Sequence, residues 1–173
     1  MRLYKAQVPE IARKVIQHLN DDGHIEVLSN SRLEAEADLV AIMNEYLNRD
    51  RNLREAVRER MARLSIPYDQ YGRQRSQMAQ EWGHPVGHRV EKYLAGQFVE
   101  GFMISRFVDE VYSEDHTIRK SILEVLKNFS VDENALRDEA KSKIKNIAEN
   151  TVEYEIRLSQ ELREVKRRHG LID

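Results

Sequence analysis

Glu81, His84 and His88 are the residues in this sequence most like a metal site. Histidines four apart on a helix can share a zinc ion, and a glutamate completes the set or acts as a base. Pro85 and Gly87 fall between these histidines, so a regular helix does not carry the spacing. The plainer expectation is a surface turn in a linker. Glu114-Asp115-His116 with Arg119 is a denser cluster. Asp115 and Arg119 can pair across one helical turn, and His116 beside a carboxylate can take a proton. Here the expectation is a helix N-terminus with dipole-matched acids, an ion pair and a half-buried histidine. No nucleophile stands with a base at a recognisable spacing, and no phosphate loop or dinucleotide fingerprint occurs. The sequence therefore assigns no catalytic residue, no metal ligand, no cofactor and no small-molecule ligand.

Basic residues gather more convincingly. Arg49, Arg51, Arg54, Arg58, Arg60 and Arg63 share one helical stretch, Lys141, Lys143 and Lys145 another, and Lys166-Arg167-Arg168-His169 follows. Arginine and lysine on a helix can neutralise phosphates. Asp50, Glu55 and Glu59 dilute the first cluster, and Asp138 and Glu139 flank the second. A solvated face with ion pairs is the simpler account. Arg54, Arg58, Lys141, Lys145 and Lys166 are the phosphate-contact candidates if the chain binds nucleic acid.

The elements that must position these residues follow from an apolar stripe that occurs twice. It runs Leu136, Ala140, Ile144, Ile147, Thr151, Tyr154, Leu158, Leu162, Val165, and earlier Leu53, Val57, Met61, Leu64, Tyr68, Tyr71, Arg75, Met78, Trp82. Steps of three and four mark one face of a helix. The second run repeats the first at a constant offset (136 − 53 = 83). Ile11, Ala12, Val15, Ile16 and Leu19 match Leu94, Ala95, Phe98, Val99 and Phe102 at the same offset. So do Ala35, Leu39, Ile42, Met43, Tyr46 and Ile118, Ile122, Val125, Leu126, Phe129. The expectation is an all-α chain of two tandem helical repeats, about four helices each, over residues 1–83 and 84–173.

Local signals place the boundaries. Pro9 suits the first turn of a first helix, which Gly23 ends. Ile25-Glu26-Val27 alternates like a short extended piece. Ser31 with Glu34 forms a capping box for a second helix, and a third starts near Arg51 and stops before Pro67. A fourth spans Asp69 to Trp82. Ser113 and Asp132 are caps in the second half. No proline matches Pro67 there, so the last helix is expected to run unbroken from Asp132 to Arg168, roughly 50 Å. A break would fall at Asn150-Thr151, where Thr151 can cap a fresh helix. Gly96 and Gly101 lie within an apolar helix, each at a cost of up to ~1 kcal/mol, which close approach of another helix or a bend explains.

Composition sets the remaining bounds. The chain is 40% hydrophobic and 34% charged, with net charge −2 and no cysteine. Disulfides and thiolate chemistry are excluded, and no global field draws the protein to polyanions or anionic lipid. No apolar run reaches the ~18 residues of a membrane span. Met1-Arg2-Leu3-Tyr4-Lys5 lacks the apolar core of a signal peptide, and the cytoplasm is the expected location.

Met1-Arg2-Leu3-Tyr4 with Ile11-Ala12-Arg13, and then Gly23-His24-Ile25-Glu26-Val27, resemble the start of an uncharacterised bacterial family, the domain of unknown function numbered 507. Glu114-Asp115-His116 with Arg119, Ile144-Lys145-Asn146, Tyr154-Glu155-Ile156 and Arg167-Arg168-His169-Gly170-Leu171 resemble its second half. The resemblance covers essentially the whole chain and implies a helical bacterial protein of the cytoplasm. It supplies no catalytic residues.

Two functions are expected from these features. The first is a non-catalytic interaction or scaffold protein, a homodimer or part of a larger assembly. A long apolar stripe needs a matching face, which makes Tyr154, Leu158, Leu162, Val165 and Tyr71 the interface candidates. The alternative is nucleic-acid binding through the basic helix faces.

Overall fold

The computed structural model describes residues 1–144, 147 and 151–172. Seven helices and two short strands occur among them: α1 (Val8–Asp21), β1 (Ile25–Val27), α2 (Arg32–Arg63), α3 (Tyr71–Glu81), α4 (Arg89–Ile104), β2 (Val108–Val111), α5 (Asp115–Lys127), α6 (Glu133–Ser142) and α7 (Val152–Arg168). The fold is all-α, with single 3-10 turns at Lys5–Gln7 and Tyr68–Gln70. Among the described residues no helix is long and apolar enough to cross a membrane.

The main core joins α1, the first half of α2, α4 and α5. Ile11, Val15, Leu39, Leu94, Phe98, Ile118, Ile122 and Leu126 are wholly enclosed in it. Each such side chain contributes about 1.5–3 kcal/mol by leaving water. These are the faces that the three-four periodicity picks out, because one stripe per helix can be buried at a time. Residues 1–83 and 84–173 both supply this core. The extended Ile25–Val27 segment is β1, and its partner, β2, has no comparable alternation to announce it. They pair antiparallel, Ile25 opposite Val111, with a register shift after Glu26.

Two helical hairpins extend from this core. In one, the second half of α2 packs on α3 around Leu53, Val57, Met61, Met78 and Ala79. In the other, α6 packs on α7 around Leu136, Ala140, Tyr154, Leu158 and Val165, sealed by Tyr4 and Leu171.

Four helix ends share one device. After α1, α3 and α7 the chain turns through a left-handed glycine, Gly23 (φ 71°), Gly83 (φ 58°) and Gly170 (φ 65°). The next amide returns to the carbonyl five residues back, as in His24 to Leu19 (2.9 Å), His84 to Ala79 (2.8 Å) and Leu171 to Lys166 (2.9 Å). This is the Schellman closure, which folds the following side chain over the last turn. At the end of α2 a serine takes the glycine's place, Ser65 at φ 51°, with Ile66 bonded back to Met61.

Several boundaries differ from expectation. The second and third helices are one, the 32-residue α2, because no Gly or Pro interrupts it. Ser31 makes no side-chain cap bond. Ser113 lies outside α5, and its hydroxyl meets His24 Nδ1 at 2.8 Å instead. The expected long final helix is two helices. Asp132 caps α6 through Asn134 (2.9 Å) and Ala135 (3.2 Å), α6 stops at Ser142, and Thr151 caps α7 through Tyr154 (3.1 Å). Folding back lets the two apolar faces bury each other, which one straight rod cannot do. Asn150 lies outside the described residues. Gly101 is a close approach, since a Cβ there would meet Ile42 Cδ1 at 3.1 Å, whereas Gly96 has open space.

Candidate functional site: a cationic groove between two hairpins

The α2–α3 hairpin and the start of α6 face each other across an open groove of ≈ 1180 Å³, with residues 1–5 along its floor. Its volume exceeds the ~300–1,000 Å³ of pockets shaped for small molecules. One wall carries Arg51, Arg54 and Arg58 from α2 and Tyr68, Tyr71 and Arg75 from the following turn and α3. Spacings of three and four put the α2 arginines on one face, flanked by the buried Leu53 and Val57, which anchor the helix beside them.

Two carboxylates organise the charge. On the α2 side, Asp50 accepts from Arg75 at 2.6 Å and pairs with Arg54 Nε at 3.2 Å. His84 Nε2 stands 3.4 Å from Asp50, and neither ring nitrogen has a satisfied hydrogen bond. Arg75 is thus the firmer partner. Burial opposes ionisation of Asp50, but the contacts of His84 and Arg75 and the charges of Arg75 and Arg54 outweigh it and bring the carboxyl from 3.8 to about 2. Behind it Tyr46 stacks on His84 (centroids 4.9 Å apart) and donates to Pro85 O at 3.2 Å. Burial, reinforced by the Asp50 charge, raises the Tyr46 phenol. On the opposite side Glu133 gathers Lys166 (3.1 Å), Arg2 (3.3 Å) and the Tyr4 hydroxyl.

Arg51 and Arg58 are different. Both are exposed on the groove wall, and among the described residues neither has an ion-pair or hydrogen-bond partner. Beside them Tyr68 and Tyr71 stack with centroids 5.6 Å apart and planes 22° apart. Tyr71 is half-buried against the α2–α3 cluster, while Tyr68 is 80% exposed.

The sequence candidates distribute unevenly over this geometry. Arg54 and Arg58 line the groove, as does Tyr71. Lys141 is exposed on α6 away from the lining, and Lys145 lies outside the described residues. Lys166 is a correction: it is buried, held by Glu133 and set 5.3 Å over the Tyr4 ring, so its charge is already matched. Tyr154, Leu158 and Val165 are buried and Leu162 half-buried, all within the chain's own α6–α7 cluster. The stripe is covered by residues of the same chain.

The Glu81, His84, His88 trio is not brought together. Glu81 pairs with Arg60 at 2.6 Å, His88 is exposed, and among the described residues no three acidic or histidine side chains form a metal-holding group. His84 is not on a surface turn but 2% exposed. Gly83 was the available signal, because the residue after a Schellman glycine folds inward. Glu114 and His116 pair at 3.1 Å and Asp115 and Arg119 at 3.8 Å, all exposed. Asp50, read in the sequence only as diluting a basic run, is the organiser of the groove wall. Arg75, read as a stripe position, is its principal partner.

Fold and groove together define a small helical protein with a cationic, tyrosine-lined cleft between two hairpins. The chain belongs to the family described as protein of unknown function (DUF507), whose model matches residues 1–171. A comparison with curated proteins finds no match.

Proposed function

We propose that the protein binds nucleic acid in the groove, without catalysis. The observation that carries this reading is the unpartnered pair Arg51 and Arg58. Two helical turns separate them on α2, about 10 Å along its axis, which suits two separate phosphates better than one small anion. Arg54 and Arg75 share the single negative charge of Asp50, so together the three leave one further positive charge on the same wall. The net charge of −2 does not oppose this. Screening over ~8 Å at physiological salt confines the field of distant acids.

Fluorescence anisotropy with labelled DNA and RNA oligonucleotides across a salt series tests the proposal. Binding is expected at low salt, with affinity falling as salt rises. Replacing both arginines, R51Q with R58Q, should reduce the slope of log affinity against log salt by about 1.4 for a single strand. Absence of binding to either polymer at low salt would overturn it.

A second reading, a protein partner or a second copy, draws on exposed Leu33 (78%), Met103 (58%) and Ile104 (87%). Solution mass by light scattering tests the second copy, a monomer being expected here. The proposal also takes the chain as a duplicated helical unit. β1 and β2 begin at the offset of the apolar stripes (108 − 25 = 83), as do α2 and α5 (115 − 32 = 83). Each copy then lends one hairpin to the groove.

A further inference from the structure

We infer that the nucleic acid bound in the groove is single-stranded, and that one of its bases stacks on Tyr68. This rests on the nucleic-acid reading above and narrows it.

Three observations converge. First, the arginines line a concavity. Proteins that read a duplex typically push a helix or ribbon into its groove. Here the charges line a concavity, into which a flexible single strand can settle along its whole contour. Second, the Tyr68–Tyr71 pair is a platform with one anchored ring and one free ring. Tyr71 packs on the α2–α3 core and presents its face to Tyr68 at 5.6 Å. Tyr68 is thereby held in place although 80% exposed. An exposed aromatic ring held from behind is a site for an unstacked base, because every base offers a π face. Bases inside a duplex are already stacked on their neighbours and do not offer theirs. Third, Tyr68 and Tyr71 line the same groove as Arg51 and Arg58, so base and phosphate contacts lie on one path.

Asp50 has a further part here. It pairs with Arg54 and Arg75, whereas Arg51 and Arg58 stay unpaired and open to phosphates. The strand is thus bound by two phosphate contacts and a stack, with no base-edge reader among the residues used. The binding should tolerate many sequences.

The test uses the full chain and three probes of one length: an oligonucleotide, its duplex, and an abasic strand with the same phosphates and no bases. Variants are Tyr68→Ala and Tyr68→Phe, with melting curves to establish that each folds. The intact strand should bind at least tenfold more tightly than the duplex. Tyr68→Ala should weaken intact-strand binding by about tenfold, the size of one base stack. Tyr68→Phe, which keeps the ring, should stay within twofold of the parent. The abasic strand should bind weakly and be indifferent to Tyr68→Ala. Run with oligo(dU) and with oligo(U), which share a base, the series also identifies the sugar. Equal binding of strand and duplex, or an intact-strand affinity unmoved by Tyr68→Ala, overturns the inference and leaves the groove as a general phosphate site. No binding of any probe at low salt overturns both readings.

Discussion

Asp50 is where residue chemistry and stability meet. It is largely buried, flanked by two arginines and a histidine, and its carboxyl lies at about 2. A folded-state pKa below the ordinary 3.8 means that folding favours the ionised form. The resulting stability, about 2 kcal/mol, is complete above roughly pH 5 and is lost as pH falls through 2. Acid titration of the melting temperature should show this loss, and Asp50→Asn should abolish the corresponding part of the slope. At neutral pH Asp50→Asn leaves Arg75 and Arg54 with no carboxylate and should cost about 3 kcal/mol, read by urea unfolding. An unchanged midpoint would mean that water supports the two arginines. None of this was legible from spacing alone. Arg75 and His84 lie several helical turns of chain beyond Asp50, and only the α2–α3 turn brings them back to it. Arg54 and Arg58, by contrast, were legible because helical periodicity by itself puts them on one face.

At the scale of elements, burial stripes and glycines carried most of the readable information. The buried faces of α1, α4 and α5 coincide with the apolar periodicity, since a helix can hide only one stripe. Helix ends were less legible where the device was not glycine. Ser65 adopts the left-handed conformation that glycine takes after α1, α3 and α7. A side chain there is strained, by roughly 1–2 kcal/mol in the general case. Ser65→Gly should relieve part of this and raise the melting temperature by about 2 °C. A decrease would show that the serine side chain holds the turn in a way its geometry does not reveal. The expected single final helix failed for a related reason. Nothing between Asp132 and Arg168 breaks a helix by residue type, yet the two apolar faces gain more by packing on each other than by lying in line.

For the whole molecule, the shared core decides what each hairpin can do. Residues from both halves of the sequence enclose Phe98 and Leu39, so neither half buries its stripe without the other. The cleft exists because two hairpins leave that core side by side. The matching face that the stripe at Tyr154, Leu158 and Val165 requires is supplied internally. Composition could not convey the charge of the cleft, because a net charge of −2 averages a cationic wall with acids elsewhere.

The small sheet leads to an expected order of events in folding. Ile25 and Val111 are paired neighbours, although half the chain lies between them. Closing so long a loop has an entropic cost that a two-stranded ladder repays only once the helices have already brought its ends together. Each hairpin, with its ends close in sequence, can form before that. Substitutions at the partly buried strand residues Val27 or Val111 should therefore accelerate unfolding and leave the folding rate nearly unchanged, with φ near zero, while Leu53→Ala in the α2–α3 hairpin should slow folding. Stopped-flow kinetics in urea would reveal the order. The strands would then act as a latch, closing last on a molecule whose two halves are already engaged.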